Sequence, residues 1–168
     1  AAALVAIFDT NGVATDALTF NVVEDVVAAT GVITATDAGD LVDLDNQTSV
    51  KVKVDATQIT GIYAELEHVY VSGKAGFSNL GNETVTIINS PVASNSAADI
   101  DKILAATTGV VTASVTASAA SDLVANLKNA KNDALGLEIT NGSTANAADF
   151  NPIVENELIT FSLVPMLI

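Results

Sequence analysis

The sequence predicts an α/β fold of parallel strands alternating with short helices, the helices on one side of the sheet in a solenoid-like repeat. Three observations lead there. The first is a complete helix-to-strand unit, Ser96 to Ser114. Ser96 stands three residues before Asp99 as an N-cap with an acidic partner, and Ile100, Ile103 and Leu104 form one apolar stripe. The second is recurrence: Ala28 to Ala35 repeats Ala105 to Ala113 almost letter for letter, and the cap-and-stripe pattern returns at Asp55 with Gln58 and at Asn146 with Asp149. The third is the strand pattern. Val50, Val52 and Val54 are interleaved with Lys51 and Lys53, and Leu135, Leu137 and Ile139 with Gly136 and Glu138, so one face is buried and the other wet. Strands of a doubly wound sheet, covered on both faces, read instead as continuous apolar runs. A mainly-β sandwich is the alternative architecture.

In chain order, a strand is expected at Leu4 to Phe8, and a helix carrying Val23, Val26 and Val27 leads into a strand at Val32 to Thr36. A short helix at Asp40 to Leu44 precedes a strand at Ser49 to Val54. Ile59, Ile62 and Tyr63 at i, i+3, i+4 predict the next helix, followed by a strand at His68 to Ser72 and a short helix holding Phe77 and Leu80. Thr84 to Ile88 is β-prone. The Ser96 helix ends at Gly109 as its C′ residue, and Val110 to Ser114 follows as a strand. A helix at Asp122 to Leu127, a strand at Leu135 to Thr140, a helix around Phe150, Ile153 and Val154, and a strand at Leu158 to Leu163 complete the series. Strands separated by helices in this way are parallel.

The 168 residues suit one domain, 1–168. Twenty acidic residues against six lysines give a net charge of −14, which repels phosphate backbones and makes nucleic acid a poor partner. With no cysteine there are no disulfides and no thiolate metal sites. No apolar run reaches the ~18 residues of a membrane helix. Leu4, Ile7 and Phe8 at one end and Leu163, Met166, Leu167 and Ile168 at the other lack polar cover, and are expected to be assembly segments of a subunit or of a piece of a longer polypeptide.

The phrases Ala-Ala-Asp-Ile-Asp-Lys-Ile-Leu-Ala-Ala-Thr-Thr-Gly-Val-Val-Thr-Ala (97–113) and Ser-Asp-Leu-Val-Ala-Asn-Leu (121–127) resemble degenerate repeats of very large surface and secreted proteins of marine bacteria and cyanobacteria, and of some phage virion proteins. The resemblance spans about residues 84–160. It implies a structural or surface role outside the cytoplasm and brings no catalytic residues.

Candidate chemistry is sparse. His68 is the only histidine, beside Glu65, Glu67 and Tyr70, and is read as an exposed strand residue. Asp37, Asp40 and Asp43 form the densest acidic group and are the expected calcium ligands if a cation binds; Asp9-Thr10-Asn11-Gly12 is a second oxygen-rich turn. Otherwise no cofactor is expected. On the wet strand face, Thr34, Thr36, Thr84, Thr86, Thr112 and Ser114 would stack as hydroxyl ladders able to organise water or bind carbohydrate.

The functional expectation is a non-enzymatic structural protein of a bacterial cell surface or extracellular filament that associates with itself. A phage virion component (tail or decoration protein) and an ice- or glycan-binding module are the alternatives.

Overall fold

The computed structural model describes residues 21–22, 25–27, 32–34, 36–89, 95–140 and 160–163. The elements are β1 (Asn21–Val22), β2 (Asp25–Val27), β3 (Val32–Thr34), β4 (Thr36–Asp37), α1 (Ala38–Asn46), β5 (Val52–Val54), β6 (Gln58–Ile62) and α2 (Tyr63–Glu67). The last of these runs into a π-helical turn, His68–Ser72, and a 3-10 turn, Lys74–Gly76. Then come β7 (Phe77–Ser78), β8 (Thr84–Ile88), α3 (Ala97–Ala106), β9 (Val111–Ser118), α4 (Ala120–Asn126), β10 (Ala134–Ile139) and β11 (Thr160–Leu163).

The class is α/β with a parallel sheet. Six strands lie in the order β4-β6-β8-β9-β10-β11, which is also their order along the chain. Thr36 pairs with Ile59, Ile59 with Val85, Val85 with Val111, Ala113 with Leu135, and Gly136 with Thr160. Each strand therefore lies 22 to 26 residues after its neighbour. A second parallel sheet, β1-β5-β7, pairs Val22 with Val54 and Val52 with Phe77, and β2 and β3 form a separate antiparallel pair.

Burial alternates along the strands. Ile59, Val85, Ile87, Val111, Ala113, Val115, Leu135 and Leu137 point inward, where they meet Leu41 and Leu44 of α1, Leu66 of α2, Ile100, Ile103 and Leu104 of α3 and Leu123 of α4 in one continuous core. Val52, Val54 and Phe77 of the second sheet belong to the same core. Successive helices touch one another, α1 with α2, α2 with α3 and α3 with α4, so they line the core as a row.

Helix starts are set by local chemistry. Asp37 accepts from Gly39 N at 2.8 Å, and the Glu65 side chain accepts from Ile62 N at 3.0 Å. Ser96 Oγ accepts from Asp99 N at 3.2 Å and donates to the Asp99 carboxylate at 2.7 Å.

The structure corrects several expectations. Asp25–Val27 is a strand, its β-branched run pairing with Val32–Thr34, rather than part of a helix. Gln58–Ile62 is also a strand, although its stripe fits a helix. Its second inward position is Gly61, which hides the alternation, and a Cβ there would stand 2.7 Å from Ala38 Cβ. His68–Ser72 is helical; Val69 and Tyr70, adjacent in sequence, are both buried, which a strand face cannot arrange. Phe77–Ser78 is a strand because its backbone pairs with Val52–Lys53. Gly109 is not a left-handed C′ residue. The helix ends at an extended Thr107, and Gly109 is required because a Cβ would stand 1.9 Å from the Glu83 carbonyl oxygen. The strands form three sheets rather than one. The expected elements at Leu4 to Phe8 and around Phe150 to Val154 lie outside the described residues.

Two measurements test the α3 start. Ser96→Ala should cost about 1 kcal/mol in denaturant unfolding. The Asp99 carboxyl is held below its ordinary range chiefly by the hydrogen bond from Lys102 and then by Ser96. A carboxyl depressed on folding stabilises above its unfolded pKa of about 4, and that stability is lost as pH falls through the lower folded value. The stability gap between wild type and Asp99→Asn should therefore be constant above about pH 5 and close in acid. A gap unchanged down to the acid limit would contradict this reading.

Candidate functional site

The wet face of the six-stranded sheet is the broadest candidate surface. Thr84, Thr112, Ser114 and Thr116 are exposed and Thr86 half-buried, as alternation requires. Register places Thr60, Thr86 and Thr112 in one file across β6, β8 and β9. Thr60 is not legible as a strand-face residue from sequence, because its segment carries a helical stripe. Two hydroxyls are turned back onto the sheet: Thr60 Oγ1 donates to the Thr86 carbonyl and Thr84 Oγ1 to the Thr57 carbonyl, each at 3.3 Å. Thr36 does not join the face. It pairs with Ile59 in the inward file, is 5% exposed, and its hydroxyl has no hydrogen-bond partner among the described residues. Thr34 lies in β3, outside this sheet.

β8 and β9 pair at Val85 with Val111 and Thr86 with Thr112, and beyond those pairs Asn95 ties the end of β8 to β9. Its buried amide donates to Asn89 Oδ1 at 2.9 Å and to the Ser114 carbonyl at 3.4 Å, and its carbonyl accepts from Thr116 N at 2.8 Å. An open groove of about 400 Å³ lies here, lined by Asn89, Thr112, Ser114, Ala134 and Gly136 among others.

Beneath the sheet lie buried polar groups, and one of their oxygens, Glu83 Oε1, has no hydrogen-bond partner among the described residues. Glu83 is 2% exposed, and its Oε2 accepts from Tyr70 OH at 3.0 Å, Gly81 N at 2.8 Å and Asn82 N at 3.2 Å. Its carbonyl accepts from Thr107 Oγ1 at 3.2 Å. Burial, and then the neighbouring Glu83, push the Tyr70 phenol far above its ordinary pKa, so it stays a donor. Asp133 accepts from Val111 N at 2.8 Å and Lys131 N at 2.9 Å. Glu83 and Asp133 each stand one residue before a strand of the main sheet, and that shared position is the signal by which the sequence could have revealed them.

The other named residues are dispersed. His68 is half-buried in the π turn, its Nε2 3.3 Å from Asp45 Oδ2 and its ring perpendicular to Phe77 at 6.4 Å; it is not on a strand face. Glu65 caps α2 while Glu67 accepts from Ser72 Oγ at 2.7 Å, so the two carboxylates do separate work. Asp37 caps α1, Asp40 lies in its first turn and Asp43 is exposed. Among the described residues, no group of three acidic or histidine side chains is placed to hold a metal ion, and no helix is long and apolar enough to cross a membrane. Leu163 lies in β11; Leu4, Ile7, Phe8, Asp9 to Gly12, Met166, Leu167 and Ile168 lie outside the described residues.

Comparison with protein-family models, with curated proteins and with solved structures gives no match.

Two substitutions should move stability in opposite directions. Tyr70→Phe removes a donor from a buried carboxylate and should cost about 1–3 kcal/mol. Thr36→Val removes a buried hydroxyl that lacks a partner and should stabilise by about 1 kcal/mol. Urea unfolding followed by circular dichroism would show both; a destabilised Thr36→Val would mean that its hydroxyl is satisfied.

Proposed function

We propose that this chain is a non-enzymatic structural protein of a bacterial cell surface or extracellular filament, assembling with itself through its apolar terminal segments. The observation that carries the reading is the strand order. A parallel sheet whose strands follow one another in chain order, each 22 to 26 residues on, grows in one direction, and each step rests on its nearest neighbours. Its outer strands among the described residues are β4 and β11. Outer strands carry unpaired backbone groups that recruit further strands, from the same chain or another.

The interior supports the same reading. Buried polar side chains tie neighbouring segments together, Asn95 donating to the Ser114 carbonyl and Asp133 accepting from Val111 N. The acidic surface suits a role that avoids nucleic acid. Leu4, Ile7 and Phe8, and Leu163 with Met166, Leu167 and Ile168, supply apolar side chains worth about 1.5–3 kcal/mol each on burial.

Electron microscopy of the purified chain should show filaments or a lattice. Deleting Pro165 to Ile168, or replacing Ile7 and Phe8 with Asp, should return it to single chains. A wild-type chain that stays monomeric at high concentration would overturn the proposal, and particles of virion type would redirect it to a phage component.

A further inference from the structure

We infer that the outward face of the six-stranded sheet is a lateral contact surface for a second copy of this chain, packed sheet against sheet. The inference extends the assembly reading to a second surface and can fail separately from it. Two independent observations carry it.

The first is the fate of the hydroxyls. Thr60 and Thr84 donate theirs to main-chain carbonyls of their own sheet. A donor already satisfied loses no hydrogen bond when water leaves. In the same stretch Ile62 pairs with Ile88, and Ile88 is 47% exposed. This part of the face offers satisfied hydroxyls and isoleucine surface, which fits another sheet better than it fits a sugar or an ice lattice that must be met by free hydroxyls.

The second is charge. The chain carries −14, yet the outward positions of β6, β8 and β9 contain no charged residue. Charges stand only toward the rims, Asp37 on β4 and Glu138 on β10, while Asp40, Asp43, Glu67, Asp101 and Asp122 lie on the helices. A basic partner would choose the helical side. Two identical acidic chains must meet where neither is charged, and the strand face is such a place. An uncharged centre with a charged rim is also how protein interfaces are built, and facing sheets pack about 10 Å apart.

Repulsion between copies is screened by salt, with a Debye length of about 10 Å at 0.1 M and about 3 Å at 1 M. Sedimentation velocity of the full chain should therefore show two-chain or paired-filament species gaining at about 1 M NaCl over about 0.1 M. Ile88→Asp and Thr112→Lys, each checked for folding by circular dichroism, should weaken this pairing by at least about tenfold, which is 1.4 kcal/mol. Ala125→Asp, on the exposed side of α4, should leave it unchanged. End-to-end polymers that persist in Ile88→Asp as single-width filaments are the expected result, since the ends are a separate surface. Should Ile88→Asp fail to fold, Thr112→Lys decides. The proposal is overturned if wild type does not pair at any salt concentration, or if the strand-face variants pair as wild type does. It is overturned equally if wild type binds a soluble glycan or shapes ice crystals and Thr112→Lys abolishes that binding, because the face would then belong to that ligand.

Discussion

Register between successive strands is the constraint on which the rest of this structure depends. An antiparallel hairpin has its register set by the turn, whereas parallel neighbours joined by long connections have no such device. A slip of one residue would turn Ile59, Val85 and Val111 out to water and bring threonines into the core. The inward apolar file resists such a slip, and buried polar side chains pin it. Asp133 takes the Val111 amide from the preceding strand, and Asn95 holds β9 at Ser114 and Thr116 where β8 no longer pairs with it. Glu83 binds the backbone of its own turn while its carbonyl takes the Thr107 hydroxyl from the next.

Close approach follows from that pinning. Gly109 lies against the Glu83 carbonyl and Gly61 against Ala38, so segments successive in sequence are in van der Waals contact at points where no side chain fits. The helices then close the core as a row, and three of the four start at side chains that meet backbone amides. Asp37, Glu65 and Ser96 with Asp99 do this by different chemistry for the same electrostatic reason.

The division of surfaces is a consequence of the same geometry. Acidic caps and exposed helix positions put negative charge on the helical side, while strand alternation assigns threonine and isoleucine to the other. A strongly acidic chain thus keeps a nearly neutral face, and the fold gives that face a regular register.

The alternation of helix and strand, the parallel sense, the Ser96 cap and the inward valines and leucines from Val85 to Leu137 were determined by the sequence itself, because capping and side-chain period are local properties. Between Gln58 and Phe77 the local signals misled. An isoleucine stripe fitted a helix while the second inward residue, after Ile59, was a glycine, and a histidine, tyrosine and valine run fitted a strand while two adjacent residues were buried. Which way Thr36 points, why Gly109 is glycine, and that Tyr70 and Glu83 meet were decided by tertiary structure alone. Each depends on an atom contributed by a segment more than ten residues away, and no window of sequence contains both partners' geometry.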